Sequence, residues 1–145
     1  MRAILCGANG AMGKLIDGIL GAEVVGRVSI DGENGVPKTF AELGKVDADV
    51  IIDFSHHTAV SDVLAYARET GAAAVIGTTG HTPEEKELIF AAAKDIPVFF
   101  SGNMSLGIAV LCRLAKQAAA AKIRAFSSGV CPVVPMTAAA PISLA

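Results

Sequence analysis

The sequence predicts an α/β fold in which a parallel sheet is covered by helices on both faces. Short apolar runs alternate with helical patterns along most of the 145 residues, and this alternation is typical of βαβ units. The first apolar run, Ala3–Cys6, also ends in a cluster of glycines before apolar residues resume at helical spacing. Strand, tight turn and helix in that order are how a doubly wound domain begins.

Five apolar runs are predicted to form the sheet. They are short, rich in β-branched residues and bounded by turn-forming residues, which is the pattern of buried strands. These runs cover residues 3–6, 23–29, 50–54, 73–76 and 97–100. With right-handed crossovers in a Rossmann-type sheet, we expect these strands in the order 3-2-1-4-5.

Helix signals occupy the segments between the strands. Thr39 precedes Glu42 at capping-box spacing, and Thr82, Pro83 and Glu85 form a compact helix start. A third helix ends at Gly71, which is placed as a C-terminal stop. The predicted helices are one after the glycine turn, a short one from residue 39, and three over about 58–70, 82–94 and 106–121.

Composition indicates a folded domain rather than a disordered chain. The sequence is 52% hydrophobic and 18% charged, and its length suffices for one core. A net charge of −2 without a basic cluster gives no support for nucleic-acid binding. The odd number of cysteines fits reduced thiols, and we find neither a signal-peptide pattern nor an apolar run of membrane-spanning length. We therefore expect a cytoplasmic protein with no membrane partner.

The strongest functional motif lies directly behind the first strand and has the spacing Gly-x-x-Gly-x-x-Gly. In this variant of the dinucleotide fingerprint, the glycines permit the turn, the approach of a pyrophosphate and close helix packing, while free helix N–H groups face the phosphates. A strand–helix turn that binds no ligand is the alternative. Ala8 and Leu15 stand where a P-loop requires Gly and Ser or Thr, so the motif is not a P-loop. The predicted pyrophosphate-binding residues are Gly7, Ala8, Asn9, Gly10, Ala11, Met12 and Gly13.

The residues that follow each predicted strand support the same site. Ligands of doubly wound folds bind outside the carboxyl ends of the strands. All these strand ends are rich in small or hydrogen-bonding residues, namely 7–9, 29–31, 53–56, 77–79 and 101–103. Because loops are polar in any case, one such end means little. All of them together favour dinucleotide binding.

Four segments carry a family resemblance, namely residues 7–14, 52–55, 75–80 and 101–107. In these segments the sequence resembles the 4-hydroxy-tetrahydrodipicolinate reductase (dihydrodipicolinate reductase) family of lysine and diaminopimelate biosynthesis. The resemblance runs from residue 1 to about 121. It implies an oxidoreductase domain in which NADH or NADPH is the hydride donor and an acidic residue holds the adenosine ribose. The cofactor-side residues that it implies after the third, fourth and fifth strands are Phe54, Ser55, His56, Gly77, Thr78, Thr79, Ser101, Gly102, Asn103 and Met104.

Cofactor choice depends on Asp31. It lies 18 residues after Gly13, near the offset of about 20 at which a carboxylate meets ribose hydroxyls. A carboxylate there favours NADH because it repels a 2′-phosphate, but a turn aspartate before Gly32 is an equal interpretation. Lys14 and Arg27 are nearby cations, either of which would tolerate NADPH. The sequence leaves both cofactors open.

The adjacent histidines 56 and 57 are not predicted to be catalytic. The family's His-His-x-x-Lys motif belongs after the helix ending near residue 121, and Val60 stands at the lysine position that would follow this pair. We interpret His56 as a nicotinamide-side contact, His57 as a helix start and His81 as a loop residue. No two of the three histidines have a cysteine or carboxylate at zinc spacing. We therefore predict no metal site and no catalytic residue.

The resemblance ends at about residue 121. Residues 122–145 contain no histidine and no acidic residue, and their prolines prevent a long helix. We therefore expect a cofactor-binding domain over 1–121 and an irregular or loosely docked tail over 122–145. The family's substrate domain and homotetramer surface are missing from this pattern. We expect a monomer or weak self-association, and cofactor binding without catalysis.

Two other functions fit parts of the sequence. A free-standing Rossmann module that senses redox state or binds CoA is the alternative function. A short-chain dehydrogenase shares the glycine spacing but requires Tyr-x-x-x-Lys. Tyr66 is the only tyrosine and residue 70 is Thr70, so this last interpretation fails. Titration with NADH, NADPH and CoA separates the remaining two.

Overall fold

The computed structural model describes the backbone of residues 1–120 and the side chains of residues 1–117. The chain divides into two units, residues 1–108 and 109–145. The first unit contains the whole sheet. The expected tail, residues 122–145, lies outside the described residues.

The elements follow the predicted alternation closely. The strands are β1 Ala3–Cys6, β2 Val24–Val28, β3 Val50–Asp53, β4 Ala73–Ile76 and β5 Val98–Phe100. The helices are α1 Ala11–Leu20, α2 Phe40–Leu43, α3 Val60–Thr70, α4 Pro83–Ala92 and α5 Leu106–Ala120. Short 3-10 turns occupy Gly21–Glu23, Glu33–Gly35 and His57–Ala59.

The strands form one five-stranded sheet in which every pairing is parallel, so the Rossmann-type α/β fold is confirmed. The predicted order 3-2-1-4-5 is wrong, because the observed order is β2-β1-β3-β4-β5. Between β2 and β3 the chain forms only a 3-10 turn and the one-turn helix α2, so no strand extends the sheet beyond β2. β3 returns to the other side of β1, in the second common doubly wound order.

This order places the topological switch point between β1 and β3. The chain leaves β1 for β2 on one side and returns to β3 on the other, which is where such folds bind ligands. The two strands are in register, with Ile4 opposite Ile51 and Cys6 opposite Asp53. The glycine turn therefore leaves the sheet at its functional crevice.

Helices cover the two faces of the sheet through alternating side chains. Leu5 and Val24 pack with α1 on one face, whereas Ile4 and Ile51 belong to the larger core beneath α2, α3 and α4. Ile4 and Ile51 are fully buried, and burial of such a side chain stabilises the fold by about 1.5–3 kcal/mol. None of the described helices has the length and apolar character needed to cross a membrane.

The predicted helix caps are confirmed at two starts. The Thr39 hydroxyl accepts from the Glu42 N–H, and Thr82 with Glu85 forms a complete capping box. α3 begins at Val60 rather than near residue 58, because the chain first makes a 3-10 turn over His57–Ala59. α4 ends at Ala92, slightly before the expected residue 94.

Candidate functional site

The turn after β1 touches the end of β3 at the switch point. Gly7 has φ +79°, and a Cβ atom there would lie 2.7 Å from the carbonyl oxygen of Phe54 and 2.9 Å from the Cα of Ser55. The Gly7 N–H donates to the Val28 carbonyl at 2.8 Å. Only glycine fits this position, since both the backbone conformation and the space exclude a side chain.

The other two glycines of the motif have different surroundings. A Cβ on Gly13 would lie 2.2 Å from the Gly7 carbonyl oxygen, whereas a Cβ on Gly10 would meet only that oxygen, at 3.2 Å. Gly10 is exposed and is the N-cap of α1. Gly13 therefore allows close packing of the helix on the turn, and Gly10 leaves the helix end open.

The N-terminus of α1 can accept an anion. Its first turn contains no acidic residue. The first intrahelical hydrogen bond is the one that the Lys14 N–H donates to the Gly10 carbonyl. The earlier N–H groups of such a helix have no intrahelical partner and carry the positive end of the helix dipole. This is the usual arrangement for binding a phosphate.

Asn9 links the glycine turn to the loop after β2. Its Nδ2 donates to Oδ1 of Asp31 at 2.6 Å and to the Glu33 carbonyl at 3.1 Å. The hydrogen bond from Asn9 is the main reason that the pKa of the Asp31 carboxyl lies below its usual range. The structure therefore brings Asp31 beside the glycine turn, and the Glu33 N–H donates to the same carboxylate at 3.2 Å, as the turn-aspartate interpretation expects.

Of the two cations considered from the sequence, Arg27 has a partner elsewhere. Its Nε donates to Oδ2 of Asp17 at 3.0 Å, and its Nη2 also bonds that carboxylate. Sequence reasoning missed Lys38, whose side chain lies so close to Gly32 that a Cβ there would be 2.4 Å from the lysine Cε. Lys38 carries no sequence signal because its side chain reaches Gly32 only through the left-handed backbone of that loop.

A cavity of about 200 Å³ lies at the carboxyl ends of β1, β2 and β3. Its lining is formed by Cys6, Gly7, Val28, Ser29, Ile30, Lys38, Thr39, Ser55, His56, Thr58, Ala59 and Asp62. A larger cavity of about 340 Å³ lies between α2 and α3, around Phe40 and Tyr66, and its lining includes no residue of the glycine turn. The smaller cavity is the one that adjoins the switch point.

Asp53 organises the ends of β3 and β4. The residue is fully buried, and its Oδ1 accepts from the N–H of Ser55 at 3.0 Å and from the Ser55 hydroxyl. The Thr78 hydroxyl donates to Oδ2 at 3.1 Å. These bonds satisfy a carboxylate that would otherwise be costly to bury. Asp53 lies within the segment 52–55 that carries the family resemblance, but no sequence pattern indicated this role.

The residues predicted to face the cofactor after β3, β4 and β5 contact one another from each strand end to the next. A Cβ on Gly77 would lie 2.3 Å from Cε1 of Phe54, so the aromatic ring lies against the Gly77 backbone. A Cβ on Gly102 would lie 3.4 Å from Cγ2 of Thr79. The end of β4 therefore contacts the ends of both neighbouring strands.

The loop after β5 has its own hydrogen bonds. The Ser101 hydroxyl donates to the Asn103 carbonyl at 2.8 Å, and Oδ1 of Asn103 accepts from the Ser105 N–H at 2.9 Å. Met104 is partly exposed. Since β5 and β2 are opposite edges of the sheet, this loop and Asp31 are at the two ends of the row of strand ends, about 19 Å apart at the usual strand spacing.

Comparison with known proteins identifies the domain. The family model described as dihydrodipicolinate reductase, N-terminus, matches residues 1–104. The chain belongs to this family. The resemblance suggested by the sequence motifs is thus confirmed.

Relatives carrying the name 4-hydroxy-tetrahydrodipicolinate reductase extend this finding. The protein from Caldanaerobacter subterraneus subsp. tengcongensis is 41% identical over 128 residues, which cover 82% of this chain and 50% of the relative. Those from Exiguobacterium sp. and Anaeromyxobacter sp. are 40% and 36% identical and match 79% and 82% of this chain, but 46% and 51% of their own lengths. The chain spans about half the length of the curated relatives it matches.

The histidines of this reductase domain have three different environments. His57 begins a 3-10 turn, and its Nδ1 lies 2.9 Å from both carboxylate oxygens of Glu85, whose pKa is lowered chiefly by this hydrogen bond. His56 is exposed and its Nδ1 pairs with the Thr58 hydroxyl at 3.0 Å. His81 does lie in a loop but is buried, and its Nε2 has no hydrogen-bond partner among the described residues. Sequence reasoning missed the partnership with Glu85.

Cys6 is poorly suited to nucleophilic chemistry, whereas Cys112 is a free, exposed cysteine on α5. Burial raises the pKa of the Cys6 thiol to about 12, so this thiol stays protonated and is a poor nucleophile. Residues 1–120 contain no group of three or more His, Cys, Asp or Glu side chains placed to hold a metal ion.

Proposed function

We propose that this domain binds a reduced nicotinamide dinucleotide, NADH or NADPH, along the carboxyl edge of its sheet. The observation that carries the proposal is the contact of Gly7 with the end of β3. This contact places the exposed N-terminus of α1 at the switch point. Backbone N–H groups of residues 11–13 bind the pyrophosphate there, since the Gly10 N–H already donates to the Gly7 carbonyl at 3.0 Å. Membership of the dihydrodipicolinate reductase family supports this function.

The adenosine half of the cofactor binds toward β2. Asp31 accepts hydrogen bonds from the ribose hydroxyls, and the adjacent cavity of about 200 Å³ takes the adenine. Lys38, which lies across Gly32, supplies the positive charge for the 2′-phosphate of NADPH. Arg27 does not, because Asp17 already neutralises it.

The nicotinamide half binds toward β4 and β5. When bound, the cofactor supplies a hydride. The chain's own residues hold the nicotinamide ring in place. Phe54 packs on Gly77, and Asp53 fixes Ser55 and Thr78 around the nicotinamide position. The remaining residues assigned to this end are His56, Thr79, Ser101, Gly102, Asn103 and Met104.

We further propose that this half-site serves the reaction named for the relatives, reduction that yields tetrahydrodipicolinate in lysine and diaminopimelate biosynthesis. The 145 residues themselves bind the cofactor without turnover. They contain no His-His-x-x-Lys sequence, and a general acid contributes about 10²–10⁴-fold to a rate. Of the described histidines, His57 is paired with Glu85 and His81 is buried, which leaves only His56 with an exposed ring, and its Nδ1 pairs with the Thr58 hydroxyl.

Titration of the 145-residue chain with NADH, NADPH and CoA tests the binding function. The variant Gly10→Val fills the open space before α1 and is expected to weaken binding of both nicotinamide cofactors by more than about tenfold. Gly18→Val is the matched control, because a Cβ at Gly18 meets nothing within 4 Å. Binding of CoA in preference to either dinucleotide, or unchanged affinity in Gly10→Val, would contradict the proposal.

A further inference from the structure

The side-chain amide of Asn9 is fully used within the protein. Its Nδ2 carries two protons, and the group donates to Oδ1 of Asp31 at 2.6 Å and to the carbonyl of Glu33 at 3.1 Å. The remaining polar atom of the side chain, Oδ1, is an acceptor. The Asn9 side chain therefore has no donor left for a phosphate, although it belongs to the glycine motif.

These bonds hold the Asp31 carboxylate in one orientation. Its Oδ1 accepts from Asn9 and also from the Glu33 N–H at 3.2 Å, whereas Oδ2 accepts neither bond. Asp31 is exposed and lies outside the strands and helices. Hydrogen bonds rather than packing hold its side chain, and the Asn9 amide makes the shortest of them, beside those from the Glu33 N–H and the Ser29 side chain.

The backbone around Asp31 brings the two groups together. Gly32 and Asn34 have φ of +64° and +59°, and the Gly32 N–H donates to the Ser29 carbonyl at 3.0 Å. The loop after β2 thereby folds back over the turn after β1. A carboxylate that meets a ribose must be held beside the pyrophosphate turn. Here Asn9, which lies 22 positions before Asp31 in the sequence, holds the Asp31 carboxylate there.

We propose that Asn9 is a positioning residue that sets the preference between NADH and NADPH, an inference that rests on the dinucleotide function proposed above. By holding Asp31, Asn9 keeps a negative charge where the 2′ position of the ribose lies. The held carboxylate accepts hydrogen bonds from the hydroxyls of NADH and repels the 2′-phosphate of NADPH. Without the amide, only the Glu33 N–H and the Ser29 side chain hold the carboxylate, so its orientation is less fixed and both effects weaken together.

This role differs measurably from a direct contact with the cofactor. A side chain that bound the pyrophosphate would support both cofactors equally, because their pyrophosphates are identical. A side chain that acts through Asp31 changes the ratio of the two affinities. That change must vanish when Asp31 is absent, since effects carried by one contact are not additive.

The experiment measures the dissociation constants of NADH and NADPH for the wild-type chain, Asn9→Ala, Asp31→Ala and the double variant. Asn9→Ala is expected to shift the affinity ratio toward NADPH by about 3- to 10-fold, the range of one hydrogen bond. In the Asp31→Ala background the same change is expected to leave the ratio unaltered. Gln117→Ala, which removes an exposed amide side chain from α5, is the control and should leave the ratio at the wild-type value.

A second variant guards against misfolding. Asn9→Leu keeps roughly the shape of the side chain and removes the donor without adding a charge, so it is expected to shift the ratio in the same direction as Asn9→Ala. Equal losses for both cofactors in these variants, or a shift that persists without Asp31, would overturn the role of Asn9 alone. A folded wild-type chain that binds neither dinucleotide would overturn the proposed function, and this inference with it.

Discussion

The carbonyl oxygen of Gly7 occupies the space that a side chain at Gly13 would need, with only 2.2 Å between that oxygen and the position of a Cβ. Residue 13 lies in the first turn of α1 and is buried. The third glycine of the motif therefore serves packing, and the contact couples the fold of the turn to the start of the helix.

Gly13→Ala is accordingly expected to destabilise the domain. The Cβ would meet the backbone of Gly7 and Ala8, and overpacking of this kind costs about 1–3 kcal/mol or more. The control is Gly18→Ala in the same helix, where the Cβ meets nothing within 4 Å. It should stabilise the helix by about 0.5–1 kcal/mol. Urea unfolding followed by circular dichroism measures both, and similar midpoints for the two variants would contradict the packing role.

Lys38 is expected to affect NADPH more than NADH. Lys38→Ala should weaken NADPH binding by about 3- to 10-fold and NADH binding little, because in the proposed binding mode its charge meets the 2′-phosphate; this is the size of effect found for exposed charged contacts. The difference should shrink in high salt, which screens exposed charges.

Lys14→Ala is the comparison variant, because Lys14 is one of the two cations considered from the sequence and its charge helps to lower the pKa of Asp31. Fluorescence titration of both variants with both cofactors decides between them. A selective loss of NADPH affinity in Lys14→Ala, with none in Lys38→Ala, would assign the 2′-phosphate to Lys14 instead.

The elements of the fold were predictable from the sequence, but their order was not. Apolar runs and caps such as Thr82 depend on residues close in the chain, so β1 to β5 and the helix starts were found with small errors in their ends. The position of β3 depends on the absence of a further strand between β2 and β3. A run of residues 29–49 without a strand sends Val50–Asp53 to the other side of β1, and no local pattern states that.

The site was predictable where it depends on the glycine motif and not where it depends on contacts between distant segments. The offset of Asp31 from Gly13 was a usable signal, and the structure brings Asp31 to Asn9. The approach of Lys38 to Gly32 and that of Glu85 to His57 require loop geometry. Left-handed residues such as Asn34 produce that geometry without any hydrophobic pattern.

The pair of His57 and Glu85 should make stability depend on pH in the acidic range. The hydrogen bond from His57 lowers the pKa of Glu85 in the folded state, so the folded chain binds fewer protons there than the unfolded chain. The stabilisation is therefore present above the unfolded pKa of about 4.3 and is lost as the pH falls through the lower folded value.

Urea unfolding of Glu85→Gln at several pH values tests this linkage. The variant should be less stable than the wild type at pH 7, and the difference should disappear as the pH drops below about 4. Glu87→Gln removes the same charge from an exposed position on the same helix and serves as the control. A difference between wild type and Glu85→Gln that stays constant down to the acid limit would rule out the carboxylate as its source.

The 145-residue chain is expected to bind NADPH without oxidising it in the presence of 4-hydroxy-tetrahydrodipicolinate. Hydride transfer needs a held donor, a positioned acceptor and a proton for the product, and optimal positioning is worth about 7–11 kcal/mol of the barrier. In the proposed binding mode the described residues hold only the donor. His56 is the one exposed histidine among them, and its Nδ1 already pairs with Thr58. A coupled assay with freshly made substrate measures the rate, with the relative from Caldanaerobacter subterraneus as the positive control. NADPH oxidation by this chain at a rate comparable with that enzyme, and lost in His56→Ala, would show that the catalytic proton donor lies in the loop after β3.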